Sequence, residues 1–203
     1  IFTDKAFLKS ISKIRIQKKI KKVLLISNLN LKNQKRLFYS FFNKLKIGLN
    51  NYPLNINCIS DRDFIRNNRK FLDLTGKKTF NKFIINKVLS FKPDLIILGH
   101  TDRIDESTFE KIRVISKGIK IVKIFIDSIS DGFFKFQKAF YDYKYLDNIF
   151  ISSNPIKISK QDLLNKIKFI PYPVNKKIDN MKSFNCMNKT IDVFFALSHG
   201  QNR

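Results

Sequence analysis

The sequence predicts an α/β fold built on a Rossmann-like, doubly wound parallel sheet, and three observations carry that prediction. Short apolar runs of strand length, such as 22–27 (KVLLIS) and 94–99 (DLIILG), end abruptly in polar residues, as strands buried on both faces do. Between them lie stretches of helical apolar spacing, about ten residues or longer, so successive strands need crossover connections and run parallel. The apolar share is 43%, with 21 Phe in 203 residues, which supplies a sizeable core and excludes global disorder.

Each element follows from its pattern. Residues 1–20 form a basic leader in which Phe7, Leu8, Ile11 and Ile14 share one helical face amid lysines. Such a helix packs on the domain or docks on anionic lipid, and the sequence leaves both open. After the strand at 22–27, Leu37, Phe38, Phe41, Phe42 and Leu45 repeat at helical spacing up to Gly48, the expected stop. Leu54 to Ile59 reads as a strand, and Asp61 opens a polar, arginine-bearing helix or loop. Helical spacing returns at Phe80, Phe83, Ile84, Val88 and Leu89 and must stop before Pro93. The strand at 94–99 is followed by a helix over 105–116, a strand over 119–126 and an aromatic helix over 131–145. A strand at 148–151, a short helix at 161–167 and a brief strand into Pro171 complete the domain, which spans 21–174. Asn, Lys and two prolines give the stretch from Pro171 the composition of a linker, assigned to 175–189. A new apolar strand starts at 190, so 190–203 reads as the opening of a second domain. With Ile1 at one end and a polar loop at the other, the chain reads as a fragment.

Lys and Arg number 40 against 16 Asp and Glu, a net charge of +24. That excess suggests a polyanion partner. The lysines are spread over nearly every segment, however, and accompany Asn, Ile and Phe, whose codons are rich in A and T. A solvated surface therefore explains most of the charge, and nucleic acid is disfavoured. Cys58 and Cys186 form no CxxC pair, and no apolar h-region opens the chain, so packed or idle thiols in the cytoplasm are expected. No apolar run reaches the roughly 18 residues needed to span a bilayer.

Ligands of doubly wound sheets sit beyond the carboxyl ends of the strands. The residues following each strand are thus the candidate site: Ser27 and Asn28; Ser60 and Asp61; Gly99, His100, Thr101 and Asp102; Asp127 and Ser128; Ser152, Ser153 and Asn154. His100 is a candidate general base with Asp102 close in sequence, but substrate contact or a structural cap fits it equally. Asp127 suits either a sugar hydroxyl or an N-cap. The loop His199, Gly200, Gln201, Asn202, Arg203 combines close backbone approach with a guanidinium fork for phosphate. Gly76-Lys77-Lys78-Thr79 lacks the frame of a phosphate-binding P-loop, and no metal-ligand cluster is present.

Five segments, taken in order, carry a family resemblance: Pro93–Ile97, Gly118–Asp127, Tyr145–Ser152, Ile170–Asn175, and Ile191–Phe195 with Arg203 after it. Together the chain over about 90–203 resembles CgeB-like glycosyltransferases. The resemblance implies the N-terminal domain of a GT-B fold and the first strand of its partner domain. It implies a nucleotide-sugar donor substrate, a glycan or other hydroxyl acceptor, and no tightly bound metal. It places His100, Thr101, Asp102, Asp127 and Ser128 on the acceptor side, to which the strand-end rule adds Ser27 and Asn28. His199, Gly200, Gln201, Asn202 and Arg203 fall on the donor phosphates. The sequence departs from the family where Phe125 replaces a frequent Trp and where the last glycine is displaced. Expected, then, is the acceptor half of a glycosyltransferase acting in surface or capsular polysaccharide synthesis, inactive alone, in the cytoplasm or at the inner membrane face. The alternative is a non-catalytic basic module that binds nucleic acid or an acidic partner.

Overall fold

The computed structural model describes residues 20–31, 39–99, 101–126, 141–152, 161–176 and 179. In chain order these form β1 (Lys22–Ser27), α1 (Phe41–Leu49), β2 (Asn55–Ser60), α2 (Asp61–Asn67), α3 (Lys77–Phe91), β3 (Leu95–Leu98), α4 (Glu106–Ile115), β4 (Lys120–Phe125), a 3-10 turn (Tyr143–Tyr145), β5 (Asn148–Ile151), α5 (Gln161–Lys166) and β6 (Ile167–Phe169). The six strands make one sheet in the order β2-β1-β3-β4-β5-β6. Every pairing is parallel. The chain is therefore α/β with a doubly wound parallel sheet, as its pattern predicts.

Alternation along the strands assigns each side chain to one of two apolar layers. Leu24, Ile26, Ile96, Leu98, Ile121 and Ile149 face α2, α3 and α4, meeting Ile65, Phe80, Ile84, Phe109 and Ile112. Val23, Leu25, Ile97 and Ile124 face the other way, onto Phe41 and Phe42 of α1. Burying such a side chain stabilises by about 1.5–3 kcal/mol. Strands covered on both faces explain why their sequences read as unbroken apolar runs.

Two elements differ from the sequence prediction. Gly48 does not end α1: the helix runs on to Leu49, and Asn50 caps it in right-handed conformation with its N–H on the carbonyl of Lys46. Tyr143–Tyr145 is a 3-10 turn instead of the last turn of a longer helix, because Tyr145 N donates to Asp142 O and Asp142 is held in the core. Past β6 the chain packs back on α1: Tyr172 meets Phe41 edge-on at 5.3 Å, and Lys44 Nζ donates to Asp179 Oδ1 at 2.5 Å. Segments 1–19, 127–140 and 180–203 lie outside the described residues. So do the leader helix, the aromatic helix up to 140 and the opening of a second domain. No helix among the described residues is long and apolar enough to cross a membrane.

Candidate functional site

The strand order reverses direction beside β1: the chain goes to β2 on one side, then crosses to β3 on the other. In sheets of this type the crevice opens at that switch, above the carboxyl ends of β1 and β3. Register puts Ser27 level with Ser60, and Gly99 N donates to Ile26 O at 2.7 Å, so three strand ends lie in one row. Ser27 is fully buried. A Cβ on Gly99 would lie 2.1 Å from Ser27 Oγ and 2.8 Å from Phe42 Cζ. Glycine is thus required here for space, and β1, the end of β3 and α1 are in close contact at this point.

A second group builds the wall on the β2 side. Ser60 stands at the N-cap of α2 but does not cap it. Its hydroxyl instead donates to Asp63 Oδ2 and accepts from Leu29 N at 3.2 Å. Asp63 Oδ2 also accepts from Leu31 N at 2.7 Å, which ties the loop after β1 to α2. Asn28 Oδ1 accepts from Asn30 N, supporting the left-handed backbone of Asn30. On the outer side of this wall, beside β2, a groove of about 290 Å³ is lined by Cys58, Phe64 and Phe83 among others. Cys58 carries a free thiol whose pKa is pushed up by burial, against a smaller opposing effect of Lys46.

Asp61 is the most unusual member. It is completely buried in the first turn of α2. Burial pushes its carboxyl above the ordinary carboxylate range, and the charge of Asp102 adds to the rise. The neighbouring Thr101 hydroxyl and Arg62 pull in the opposite direction without cancelling it. Oδ1 accepts from Arg62 N at 2.7 Å, whereas Oδ2 completes no hydrogen bond of ordinary geometry, and neither does Thr101 Oγ1. Ser27 Oγ and Ser40 Oγ are likewise buried without a partner. Buried polar atoms are nearly always satisfied; Asp61 and Thr101 lie within reach of each other, and Ser27 Oγ is buried near them without a partner. Ser27, Asp61 and Thr101 stand on the three strand-end loops, and Ser40 leads into α1, whose Phe42 packs against Gly99.

The loop after β3 is held from outside. Buried Asn81 of α3 donates to Arg103 O at 2.9 Å and accepts from Asp105 N at 2.8 Å and Thr108 Oγ1 at 2.7 Å. The Tyr141 hydroxyl donates to Ile104 O. Asp102, half exposed, is bracketed by Arg103 Nε at 3.1 Å and Arg62 Nη2 at 3.5 Å. The rim therefore carries two guanidiniums around one carboxylate, above a floor of hydroxyls and a carboxyl.

Of the sequence-derived candidates, Ser27, Thr101 and Asp102 come together here with Asp61. Asn28 lies beside them but is engaged in its turn. His100, Asp127, Ser128, Ser153, Asn154, His199, Gly200, Gln201, Asn202 and Arg203 lie outside the described residues. Asp63 and Asn81 were not legible as site-builders. Two carboxylates opening a helix directly after a strand, Ser60-Asp61-Arg62-Asp63, were the available signal for Asp63. The interior Asn81 gives no such signal. What the fold and crevice define is a doubly wound α/β protein with a polar switch-point site. Compared with known proteins, the chain matches no protein-family model and no curated protein.

Proposed function

We propose that this domain is the acceptor side of a metal-independent glycosyltransferase, which moves a sugar from a nucleotide-sugar donor to a hydroxyl of a glycan or similar acceptor. The observation that carries the reading is the cluster of buried polar groups at the switch point: Ser27 Oγ without a partner, and the Asp61 carboxyl beside the Thr101 hydroxyl. Hydroxyl-rich acceptors offer donors and acceptors for just such groups. The ordered resemblance to CgeB-like enzymes over about 90–203 supports it independently.

In this reading Asp61 and Thr101 orient the acceptor hydroxyl, with Ser27 beneath them. His100, which lies between Gly99 and Thr101 in sequence, takes the hydroxyl proton; Asp102, with Arg62 and Arg103, steadies that loop. Asn28, Asp127 and Ser128 complete the acceptor side by position. The acceptor oxygen bonds to the anomeric carbon as the bond from that carbon to the phosphate oxygen breaks, releasing a nucleoside diphosphate. A donor-binding domain continuing from 190 holds that diphosphate, with His199, Gly200, Gln201, Asn202 and Arg203 at its phosphates.

The test is transfer by the complete gene product supplied with a pool of nucleotide sugars. Sugar transfer is expected from the complete protein and none from residues 1–203 alone. His100→Ala lowers kcat by about 10²–10⁴-fold, the usual contribution of a general base, and leaves donor binding intact. No transfer with any nucleotide sugar overturns the function; unchanged turnover in His100→Ala removes the assigned base.

A further inference from the structure

The connection between α2 and α3 holds three apolar side chains out in water: Phe71 is 91% exposed, Leu72 90% and Leu74 73%. The turn that presents them is built. Lys70 and Asp73 exchange backbone hydrogen bonds of 3.2 and 2.9 Å, and Gly76 N donates to Asp73 O at 2.9 Å. The Asp73 carboxylate accepts from Thr79 N at 2.8 Å and from the Thr75 hydroxyl at 3.2 Å, locking the turn onto the start of α3. Gly76 takes a left-handed φ of +65° against Ile65 O, where a Cβ would approach to 2.8 Å. Such a tip is not a slack loop that could fold its apolar groups away.

Charge surrounds the tip. Arg69, Lys70 and Lys78 are exposed and have no acidic partner among the described residues. Asp73, the one acid within the turn, faces its own backbone donors.

We propose that this turn docks the protein on an anionic lipid surface, with Phe71, Leu72 and Leu74 entering the headgroup–acyl boundary and the three cations meeting lipid phosphates. Apolar side chains standing in water beside cations that have no acidic partner among the described residues match a medium that takes up both, the acyl boundary and phosphates of an anionic bilayer. The ring of unpaired cations supplies the charge complementarity that an anionic bilayer answers. The turn lies at the carboxyl end of the sheet, since Lys77 beside it pairs with Asp105 and Asn81 bonds Arg103 O. Docking there brings the crevice side toward the membrane. The inference does not depend on glycosyl transfer, because vesicle binding is read without substrate.

The chain contains no Trp, so a single introduced one is a background-free reporter. Phe71→Trp is mixed with vesicles of phosphatidylcholine alone and with added phosphatidylglycerol. With the anionic vesicles its emission shifts to shorter wavelength and is quenched by brominated acyl chains. Tyr52→Trp, exposed at the opposite end of the sheet, shows neither change. Leu72→Asp with Leu74→Asp, both at exposed positions, lowers vesicle affinity roughly tenfold or more, with an unchanged circular dichroism spectrum. Three results overturn the proposal. One is vesicle-bound Phe71→Trp protein with unshifted emission, which means adsorption by general charge. Another is an aspartate variant that binds vesicles no more weakly than the parent, the case in which neither binds included. The third is an emission shift that follows protein concentration without lipid, which assigns the tip to a second copy of the chain.

Discussion

Burying a carboxylate without an ion-pair partner is unfavourable, and Asp61 accepts that penalty in the floor of the site. Its raised pKa fixes the sign of a pH effect. The folded state holds the proton more tightly than the unfolded chain, so Asp61 favours folding at acidic pH and loses that contribution as pH rises through its folded pKa. Asp61→Asn should therefore stabilise the domain at pH 7 by about 1–3 kcal/mol, the amide donating to Thr101. The gain should shrink toward zero as pH falls into the carboxylate range. Urea denaturation at pH 7 and pH 4 checks this, and a variant less stable than the parent at pH 7 contradicts it. The same variant should impair acceptor use in the complete enzyme, exchanging function for stability. Asn81 shows the opposite economy. It is buried too, but its carbonyl and amide are fully engaged. Asn81→Leu, which orphans Asp105 N and Thr108 Oγ1, should cost about 2–4 kcal/mol at all pH values.

At the level of strands and helices, the touching ends of β1 and β3 decide the shape of the site. Gly99→Ala forces a methyl into Ser27 and Phe42, so β1, β3 and α1 must separate. A loss of about 1–3 kcal/mol is expected from overpacking, together with altered near-ultraviolet signals from the aromatic layer. Ser27→Gly in the same chain should recover part of it. The apolar runs of β1, β3 and β5 were legible almost to the residue, because the layers on both faces of the sheet take mostly apolar side chains. The ends of helices were less so. Gly48 looked like a stop, yet without a left-handed requirement there the helix continued to Leu49. Gly76 lacked a P-loop frame in the sequence, and its role is a left-handed entry into α3.

At the scale of the whole molecule, a net charge of +24 does not keep every described lysine in water. Lys123 is buried in β4, and its Nζ donates to both oxygens of buried Asp142 at 3.0 Å. Lys123→Met leaves that carboxylate uncompensated and should destabilise by about 3–5 kcal/mol. Lys123→Met with Asp142→Leu should restore most of the loss, which a double-mutant cycle in urea reads directly. Because burial raises the Asp142 pKa, the deficit of the single variant should diminish on acidification, where the carboxyl takes up a proton. In the sequence, Lys123 was only one more lysine on a strand. The sequence by itself determined the α/β class, the parallel sheet and the row of polar strand ends, since periodicity and burial are properties of neighbouring residues. Only the tertiary structure decided which of those polar groups lack partners, which carboxyls burial pushes above their usual range, that Lys123 is buried and which apolar turn stands in water. Those properties depend on partners far apart in sequence, and a hydrogen bond between Asn81 and Thr108 or an ion pair between Lys123 and Asp142 leaves no local pattern to read.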